Sequence, residues 1–201
     1  MSAVKSTVRA EAQRERILTA ARKCFIEHGF HAASMASIAE TADISIGLIY
    51  RYFEGKNEII VAIIEQQLTL LRADLALLDN SVDLAARLAE GCGTCGTNPA
   101  RRLSPALFLE MSAEATRDPK IAAALNAFDG AVRGDIAAWM SRGKDQGGYG
   151  QPETLSPARA LLLQCLIDGL KVRAAREPEL DKILLKQALD EILPAVLESP
   201  V

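Results

Sequence analysis

A run of nine residues at positions 45–53 carries side chains suited to contact with a nucleic acid. Arg51 has a guanidinium group that can donate two parallel hydrogen bonds to one guanine base. Tyr50 and Tyr52 have hydroxyl groups that can bind phosphate oxygens. The apolar residues on the same outward face suit sugars and thymine methyl groups better than they suit water. The chemistry that this segment predicts is therefore reversible binding to DNA.

Two capped helices are predicted to hold this segment in place. Ser45 can cap its helix, and Ile49 and Phe53 share the hidden face because they lie four residues apart. Ser34 can cap a preceding helix over residues 35–41. Only a short turn separates the two helices, which is the arrangement of a helix-turn-helix, whose second helix enters the major groove.

Ten residues of this region are predicted to contact DNA, and their chemistry divides them into two groups. Side chains that contact bases give sequence specificity, whereas those that contact the sugar-phosphate backbone fix the orientation of the protein. The candidates for base contact are Ile46, Gly47, Leu48 and Arg51. The candidates for backbone contact are Ser34, Tyr50, Tyr52 and Lys56, and Met35 and Ser45 belong to the same surface.

Residues 12–64 resemble the DNA-binding region of the TetR family of transcriptional regulators. The positions that carry the resemblance are Gly29-Phe30, Ser34, Ile38-Ala39, Ile44-Ser45, Gly47, Tyr50, Phe53, Lys56 and Glu58. The sequence departs from the family pattern at Ala33, where a hydroxyl residue is common, and at Asp43, where glycine is common. Asp43 should tolerate the conformation of a turn. The resemblance implies a regulator without a catalytic role, and it implies that Lys56 grips a DNA phosphate at the start of the fourth helix.

Composition and charge fit a globular helical protein with one mildly basic end. The chain has 201 residues, of which 49% are hydrophobic and 4% aromatic, and its formal net charge is −3. Residues 1–56 hold eight Lys/Arg and six Asp/Glu, whereas residues 57–201 hold fifteen and twenty. No stretch is long and apolar enough to cross a bilayer, and the polar N-terminus is unlike a signal peptide, so a cytoplasmic location is expected.

Helical periodicity continues along the chain and predicts an all-α fold of about nine helices. We expect an N-terminal three-helix helix-turn-helix domain at residues 1–56 and a helical domain for effector binding and dimerisation at residues 57–201. Gly29 should end the first helix. Residues 1–10 should be mobile, and the nearby Lys5, Arg9, Arg14 and Arg16 could bind DNA phosphates or simply be solvated. The other predicted helices span about residues 11–28, 57–78, 82–91, 101–117, 119–142, 156–176 and 180–197, with a loop at 143–156.

The last two predicted helices are apolar on nearly all sides, so both faces of each helix need burial. A homodimer joined through these helices as a four-helix bundle would bury them, and this is the usual dimer interface in the resembled family. A larger core within one chain is the alternative. The residues predicted to form the dimer interface are Leu163, Ile167, Leu170, Leu185, Leu189 and Ile192.

The second domain is predicted to enclose a pocket for an unidentified small-molecule effector. Residues 108–119 are similar to the ligand-binding domains of one TetR subgroup. The residues predicted to line the pocket are Phe108, Met111, Trp139 and Met140, although each of them is equally compatible with an ordinary core. The leading hypothesis is a dimeric repressor, with an activator as the alternative, that binds a pseudo-palindromic operator. An effector would release it by favouring another spacing of the two DNA-binding heads.

Cysteine chemistry receives little support from the sequence. The pair Cys92-x-x-Cys95 could form half of a zinc site or a redox pair, but the only two histidines, His28 and His31, lie in the predicted DNA-binding region. No metal or cofactor is therefore predicted. The remaining cysteines, Cys24 and Cys165, fall on apolar helix faces and are expected to be buried thiols.

An enzyme is the competing class of protein. The chain lacks a Ser-His-Asp set, so acid–base chemistry would have to rest on carboxylates such as Glu110, Glu114 or Asp168. These side chains are expected instead on helix surfaces or as polar groups of the pocket. A third possibility is a DNA-binding scaffold that senses no ligand, which a fully packed second domain would favour.

Overall fold

The computed structural model describes residues 2–91 and 103–198, and every regular element within these ranges is helical. The α-helices, numbered in chain order, are α1 (Ser2–Ala32), α2 (Met35–Thr41), α3 (Ile46–Ile49), α4 (Lys56–Ala76), α5 (Leu84–Gly91), α6 (Pro105–Ala115), α7 (Pro119–Ser141), α8 (Ser156–Arg176) and α9 (Lys182–Leu197). A 3₁₀ turn at Lys144–Gln146 follows α7. The predicted all-α fold with about nine helices is confirmed for this part of the chain. Cys92 and Cys95 lie outside the described residues.

The helix α1 is longer than predicted at its N-terminal end. It begins at Ser2 rather than near residue 11, and no glycine or proline interrupts residues 2–10. At the other end, Gly29 has a non-helical backbone with φ 75° and ψ 162°. Glycine adopts this left-handed region without a steric penalty. The predicted break of the helix at Gly29 is therefore confirmed, and one further turn follows it.

The described chain forms two compact units, and each unit is built from two separate segments of the sequence. The first unit comprises the described residues up to 65 together with Ala106–Leu125, and the second comprises the remainder. The helix α6 therefore belongs almost entirely to the same unit as α1, α2 and α3, although the forty residues 66–105 between the two parts of this unit belong to the second. The predicted division into residues 1–56 and 57–201 stays a prediction, because compactness alone does not define a folding domain.

The core of the first unit starts from the apolar stripe of α1. Ile17, Ala21 and Phe25 recur at four-residue intervals and are fully buried. The helix α1 packs against α2, which in turn packs against α3. Other fully buried residues of this unit are Ile38, Ile49, Phe53, Ile59 and Ile63. Each side chain of this size contributes about 1.5–3 kcal/mol when it is removed from water, so this core holds the short helices in place.

The core of the second unit is built mainly from leucines on α5, α8 and α9 together with the C-terminal half of α7. Its largest members include Leu88, Trp139, Met140 and Leu193. Gln151 is also buried, and its Nε2 donates to the carbonyl oxygens of residues 196 and 197 at 3.0 and 2.6 Å. These carbonyls end α9 and have no partner within the helix. The Gln151 side chain therefore stabilises the C-terminus of α9.

Candidate nucleic-acid interface

The cap at Ser34 fixes where α2 begins. Its Oγ accepts a hydrogen bond from the Ser37 amide at 3.0 Å, and the Ser37 Oγ accepts one from the Ser34 amide at 2.8 Å. This reciprocal capping box satisfies two backbone donors that helix geometry would leave free. Behind the cap, Ile38, Ala39 and Ala42 are buried. The predicted cap and the predicted buried face of this helix are both confirmed.

Asp43 forms the turn between α2 and α3 in a left-handed conformation, with φ 51°. Among residues other than glycine, Asp and Asn adopt this conformation most readily. Arg16 Nη2 lies 3.1 Å from both the backbone oxygen and Oδ2 of Asp43. The expectation that Asp43 tolerates a turn is confirmed, and Arg16, a candidate for phosphate contact, is bound to its carboxylate.

The helix α3 is shorter than the sequence suggested. It spans Ile46–Ile49 rather than residues 45–53, and Ser45 caps it by accepting from an amide three residues on at 3.2 Å. Beyond the helix, the amides of Arg51 and Tyr52 bond to carbonyls three residues back, at 3.2 and 3.0 Å. Such bonds tighten the chain into turns. The cap is confirmed, whereas the predicted length is wrong because apolar periodicity does not report the hydrogen-bond pattern.

The segment around α3 has one buried and one exposed face. Ile49 and Phe53 are 0% and 1% exposed, whereas Ile46 and Tyr50 are 49% and 52% exposed. Arg51 is also on the surface. Among the other predicted contact residues, Ser34, Ser45 and Gly47 are exposed, Leu48, Tyr52 and Lys56 are half-buried, and Met35 is largely buried. The outward face therefore combines apolar, aromatic and cationic groups, which matches the range of chemistry at a DNA groove.

Five of the ten predicted contact residues line a single open groove of about 1110 Å³. These five are Ser34, Met35, Ile46, Tyr50 and Lys56. The start of α7 contributes Asp118, Pro119 and Lys120 to the same groove. Ser45, Gly47, Leu48, Arg51 and Tyr52 are not among its lining residues. Nothing in the sequence indicated that the start of α7 would lie at this groove.

Lys56 directs its charge at the protein backbone. Its Nζ donates to the carbonyl oxygens of Phe30 and Ala33 at 2.7 and 2.6 Å and lies 3.4 Å from that of His31. It also lies 4.6 Å from the centre of the Phe30 ring. Burial lowers the pKa of Lys56, and the nearby Glu114 carboxylate acts in the opposite direction. The lysine therefore ties the start of α4 to the end of α1.

Two glutamates of α6 hold the same end of α1, and sequence reasoning missed this role. Glu110 Oε2 accepts a hydrogen bond from the Phe30 amide at 2.8 Å. Glu114 is buried, and its Oε2 lies 3.4 Å from Nε2 of His31. The two glutamates are four residues apart and share one face of α6. Their spacing was visible in the sequence, but nothing in it indicated a partner about eighty residues away.

Two family models match this sequence. The model of bacterial regulatory proteins of the tetR family matches residues 17–63. The model of the BetI-type transcriptional repressor C-terminal domain matches residues 93–198, which is more than half of the chain. The chain belongs to the tetR family of bacterial regulatory proteins. The resemblance noted in the sequence is confirmed, and the family consists of transcriptional regulators rather than enzymes.

Individual relatives agree with this assignment. The HTH-type transcriptional regulator UidR of Escherichia coli K12 is 36% identical over 124 residues, which cover 58% of this chain and 58% of UidR. The chain thus spans little more than half of the length of the UidR proteins that it matches. The HTH-type transcriptional repressor AcnR of Corynebacterium glutamicum is 26% identical over 164 residues, 81% of each chain. The solved structure of Salmonella enterica GusR aligns with a TM-score of 0.73 and 27% identity, covering 92% of this chain and 95% of that one.

In this tetR-family chain, the four residues expected to line an effector pocket are divided between the two compact units. Phe108 and Met111 belong to the first unit, and Trp139 and Met140 belong to the second. All but Phe108 are buried. The Trp139 ring lies perpendicular to that of Tyr149, with 5.2 Å between ring centres. Their role in binding an effector stays a prediction.

The residues expected at the tetR-family dimer interface differ in their exposure. Leu163, Leu170 and Leu189 are 2–8% exposed and belong to the core of the second unit. Ile167 and Leu185 are half-buried, and Ile192 is 47% exposed. Other apolar side chains on α8 and α9 are exposed instead, namely Leu161, Leu162, Ile183 and Leu184.

The two described cysteines differ from each other. Cys24 is buried, and its Sγ lies 3.2 Å from the Thr41 hydroxyl. Cys165 is exposed on α8. The prediction of a buried thiol is confirmed for Cys24 and wrong for Cys165, because α8 is apolar on more sides than its own unit covers.

No group of three or more His, Cys, Asp or Glu that could hold a metal ion occurs among residues 2–91 and 103–198. No helix in these ranges is long and apolar enough to span a membrane.

A polar cluster joins α7 to α8 in the second unit. Gln164 Nε2 donates to Asp129 Oδ1 at 3.1 Å, and Lys171 Nζ donates to Asp168 Oδ1 at 2.9 Å. Burial raises the pKa of Asp129, and the Asp168 carboxylate adds to this shift, while Lys171 and Arg133 oppose it. Asp168, which the enzyme hypothesis would use for acid–base chemistry, is thus held in an ion pair.

Proposed function

We propose that this tetR-family protein is a transcriptional repressor that binds a pseudo-palindromic DNA operator as a homodimer and is released by a small-molecule effector. The observation that carries the proposal is the capped pair α2 and α3, in which Ile49 and Phe53 anchor a face that presents Ile46, Tyr50 and Arg51. A helix held from behind in this way can enter the major groove without losing its packing. Since its target is chromosomal DNA, we also propose a cytoplasmic location.

Contact with bases is assigned to the exposed face of α3 and the turn after it. Arg51 would donate two hydrogen bonds to a guanine, and Ile46 and Leu48 would meet thymine methyl groups. A Cβ at Gly47 would meet no atom of the described residues within 4 Å, so packing in this part of the chain does not require a glycine there. The missing side chain instead allows the backbone to approach DNA closely.

Contact with the DNA backbone is assigned to hydroxyl groups around this face. Ser34 and Tyr50 line the open groove, and Ser45 and Tyr52 flank α3. Hydroxyl groups can donate to phosphate oxygens and so fix the register of the protein on the duplex. Met35 lies at the wall of the same groove and would contribute apolar contact only.

Dimerisation is assigned to the exposed apolar faces of α8 and α9. Leu162 is 59% exposed, and Ile183, Leu184 and Ile192 are 73%, 60% and 47% exposed. Neighbouring apolar side chains at this level of exposure on two adjacent helices mark an interaction surface. In a two-fold symmetric dimer, each face would meet its own copy.

Gly169 gives independent support for a partner against α8. It is exposed within the helix, where glycine costs about 1 kcal/mol relative to alanine. A Cβ there would meet no atom of residues 2–91 or 103–198 within 4 Å, so nothing in this part of one protomer explains the glycine. A closely packed helix of a second protomer would explain it. Leu163, Leu170 and Leu189 would then support this interface from beneath.

Effector binding is assigned to the core of the second unit around Trp139 and Met140. Trp139 is 3% exposed, and its indole Nε1 has no acceptor within the described part of the chain. A buried donor without an acceptor destabilises the fold by about 1–3 kcal/mol. A ligand that offers an acceptor to this N–H group would remove the cost, which supports Trp139 as a pocket residue.

Selection of bound sequences from random DNA, repeated in the presence of a metabolite panel, tests the proposal. We expect an enriched pseudo-palindrome whose half-sites are about one helical turn apart or slightly more, and at least one compound that lowers operator affinity. A chain that binds no duplex at low salt would overturn the proposal. An enriched operator whose affinity no compound alters would leave DNA binding standing and remove effector control.

A further inference from the structure

The last three residues of α1 and the residue after it, at positions 30–33, are held from two sides, and we call them the α1–α2 junction. On one side, the non-helical backbone at Gly29 redirects the following amide, and Glu110 Oε2 accepts from this Phe30 amide at 2.8 Å. A Cβ at Gly29 would lie 3.5 Å from the Glu110 carboxylate, so the two residues fit closely. Glu110 thereby satisfies a backbone donor that the helix break sets free.

On the other side, Lys56 holds the carbonyl groups of the same junction. Its ammonium group carries three hydrogens, and three carbonyl oxygens at residues 30, 31 and 33 lie at 2.7, 3.4 and 2.6 Å. The positive charge is therefore directed at the C-terminal end of α1, where backbone carbonyls attract a cation. The two short hydrogen bonds of this lysine are therefore made to the protein backbone rather than to a phosphate.

The α1–α2 junction leads directly into Ser34, which caps α2 and lines the open groove. Displacement of the junction would therefore displace the start of α2 and the groove wall formed by Ser34 and Met35. We propose that Glu110 and Lys56 are positioning residues for DNA binding, which hold the junction in register from α6 and α4. This inference rests on the proposed function, and it replaces a direct phosphate contact of Lys56 by an indirect role.

Two substitutions at Glu110 test the α6 side of the junction in the full-length protein. Glu110→Gln keeps an oxygen acceptor for the Phe30 amide, whereas Glu110→Leu removes it and leaves a partly buried donor unpaired. We expect Glu110→Leu to lower affinity for the selected operator about 5- to 100-fold, and Glu110→Gln to stay within about twofold of the wild type. Hydrogen exchange at the Phe30 amide should accelerate in Glu110→Leu only.

The inference is overturned for Glu110 if Glu110→Leu binds the operator like the wild type. A loss of the same size in Glu110→Gln would also overturn it, since the charge rather than the hydrogen bond would then matter. If Glu110→Leu does not fold, Glu110→Asp replaces it, because its carboxylate is one methylene too short to reach the amide in place. Its operator affinity should then be lower than that of the glutamine variant, and wild-type affinity would overturn the inference.

The Lys56 side is tested by the salt dependence of operator binding. Lys56→Met should lower operator affinity while leaving the slope of log K against log salt unchanged, because no phosphate contact is lost. A slope reduced by about one unit would mean that Lys56 neutralises a phosphate, and the inference would fail. Lys120→Met is the matched control, because it removes the charge of an exposed lysine of the same groove. It shows how far the loss of one positive charge alone changes operator affinity and its salt dependence. If the wild-type protein binds no DNA, the proposed function itself fails. The inference alone fails only when the wild-type protein binds DNA and the variants give the contrary results described above.

Discussion

Arg51 lies just beyond the end of α3, on exposed backbone whose amide bonds to the carbonyl of Leu48. Because the fold is anchored by Ile49 and Phe53 beneath it, the Arg51 side chain can be changed without removing core packing. Its exposed guanidinium group is therefore available for recognition of a base. The consequence can be measured with two substitutions at this one position.

Arg51→Ala should weaken binding to the selected operator by about 1–3 kcal/mol and weaken binding to random DNA by less. Arg51→Lys keeps the positive charge but cannot donate two parallel hydrogen bonds, so it should retain random-DNA binding while losing preference for the operator. Fluorescence anisotropy at a fixed salt concentration with both DNAs measures this. Equal losses on operator and random DNA in Arg51→Ala would assign the side chain to phosphate contact.

Asp129 is a second residue whose chemistry leads to a measurable effect. Its pKa is raised by burial and by Asp168, so the native state binds a proton more tightly than the unfolded chain. Stability therefore falls as pH rises from the unfolded value through the raised value, and at neutral pH the charged Asp129 destabilises the fold. Because Asp129 is only half-buried, water screens part of this cost.

Asp129→Asn should accordingly raise the free energy of unfolding at pH 7, because the amide oxygen can still accept from Gln164. The gain over the wild type should shrink towards pH 4, where the aspartate of the wild type takes up its proton. Urea unfolding at the two pH values measures this difference. A variant that is less stable than the wild type at pH 7 would show that the Asp129 charge stabilises the fold.

Among the helices, α2 is short, and its stability depends on its capping box. With only seven residues, an isolated helix of this kind would not be stable in water. Ser34→Ala removes the side-chain acceptor for the Ser37 amide and should lower the free energy of unfolding by about 0.5–2 kcal/mol. Ser34→Thr keeps a hydroxyl and should lose much less. Chemical denaturation of the variants measures the difference, and equal stability of all three proteins would contradict a role for the cap.

The helix-turn-helix could be predicted closely because its determinants are local. The caps at Ser34 and Ser45 and the buried faces at Ile38 and Ile49 all follow from residues within a few positions of each other. The end of α3 could not be placed in this way, since amides there turn to carbonyls three residues back. The role of Glu110 was also out of reach, because helical periodicity identifies a face but not its distant partner.

At the scale of the whole molecule, the exposed and buried leucines of α8 and α9 separate two roles that the sequence could not distinguish. Both kinds recur at helical spacing, so periodicity alone assigned Leu163 and Leu189 to a dimer interface. The structure places these two in the core, and it leaves Leu162 and Leu184 about 60% exposed. When a helix is apolar on all sides, its buried and exposed faces can thus be assigned only from the structure.

Leu184→Glu should convert the protein to a monomer with little change in helicity, because a charge would be buried in the interface that we propose. Leu189→Ala should instead destabilise the fold by about 2–5 kcal/mol, since it opens a cavity in the core. Sedimentation analysis and thermal unfolding distinguish the two outcomes. A Leu184→Glu protein that remains dimeric would place the interface on another face of the molecule.

The left-handed turn at Asp43 brings an acidic group to the chain just before α3, where glycine would suit the backbone equally well. Arg16 forms an ion pair with this exposed carboxylate at 3.1 Å, so the pair adds no net charge beside the polyanion that the segment would meet. Arg16 thus compensates the negative charge of Asp43, and its loss would leave a repulsive carboxylate without a counter-charge. A substitution at Arg16 would consequently change the affinity of this regulator for DNA without altering any of the residues proposed to contact bases.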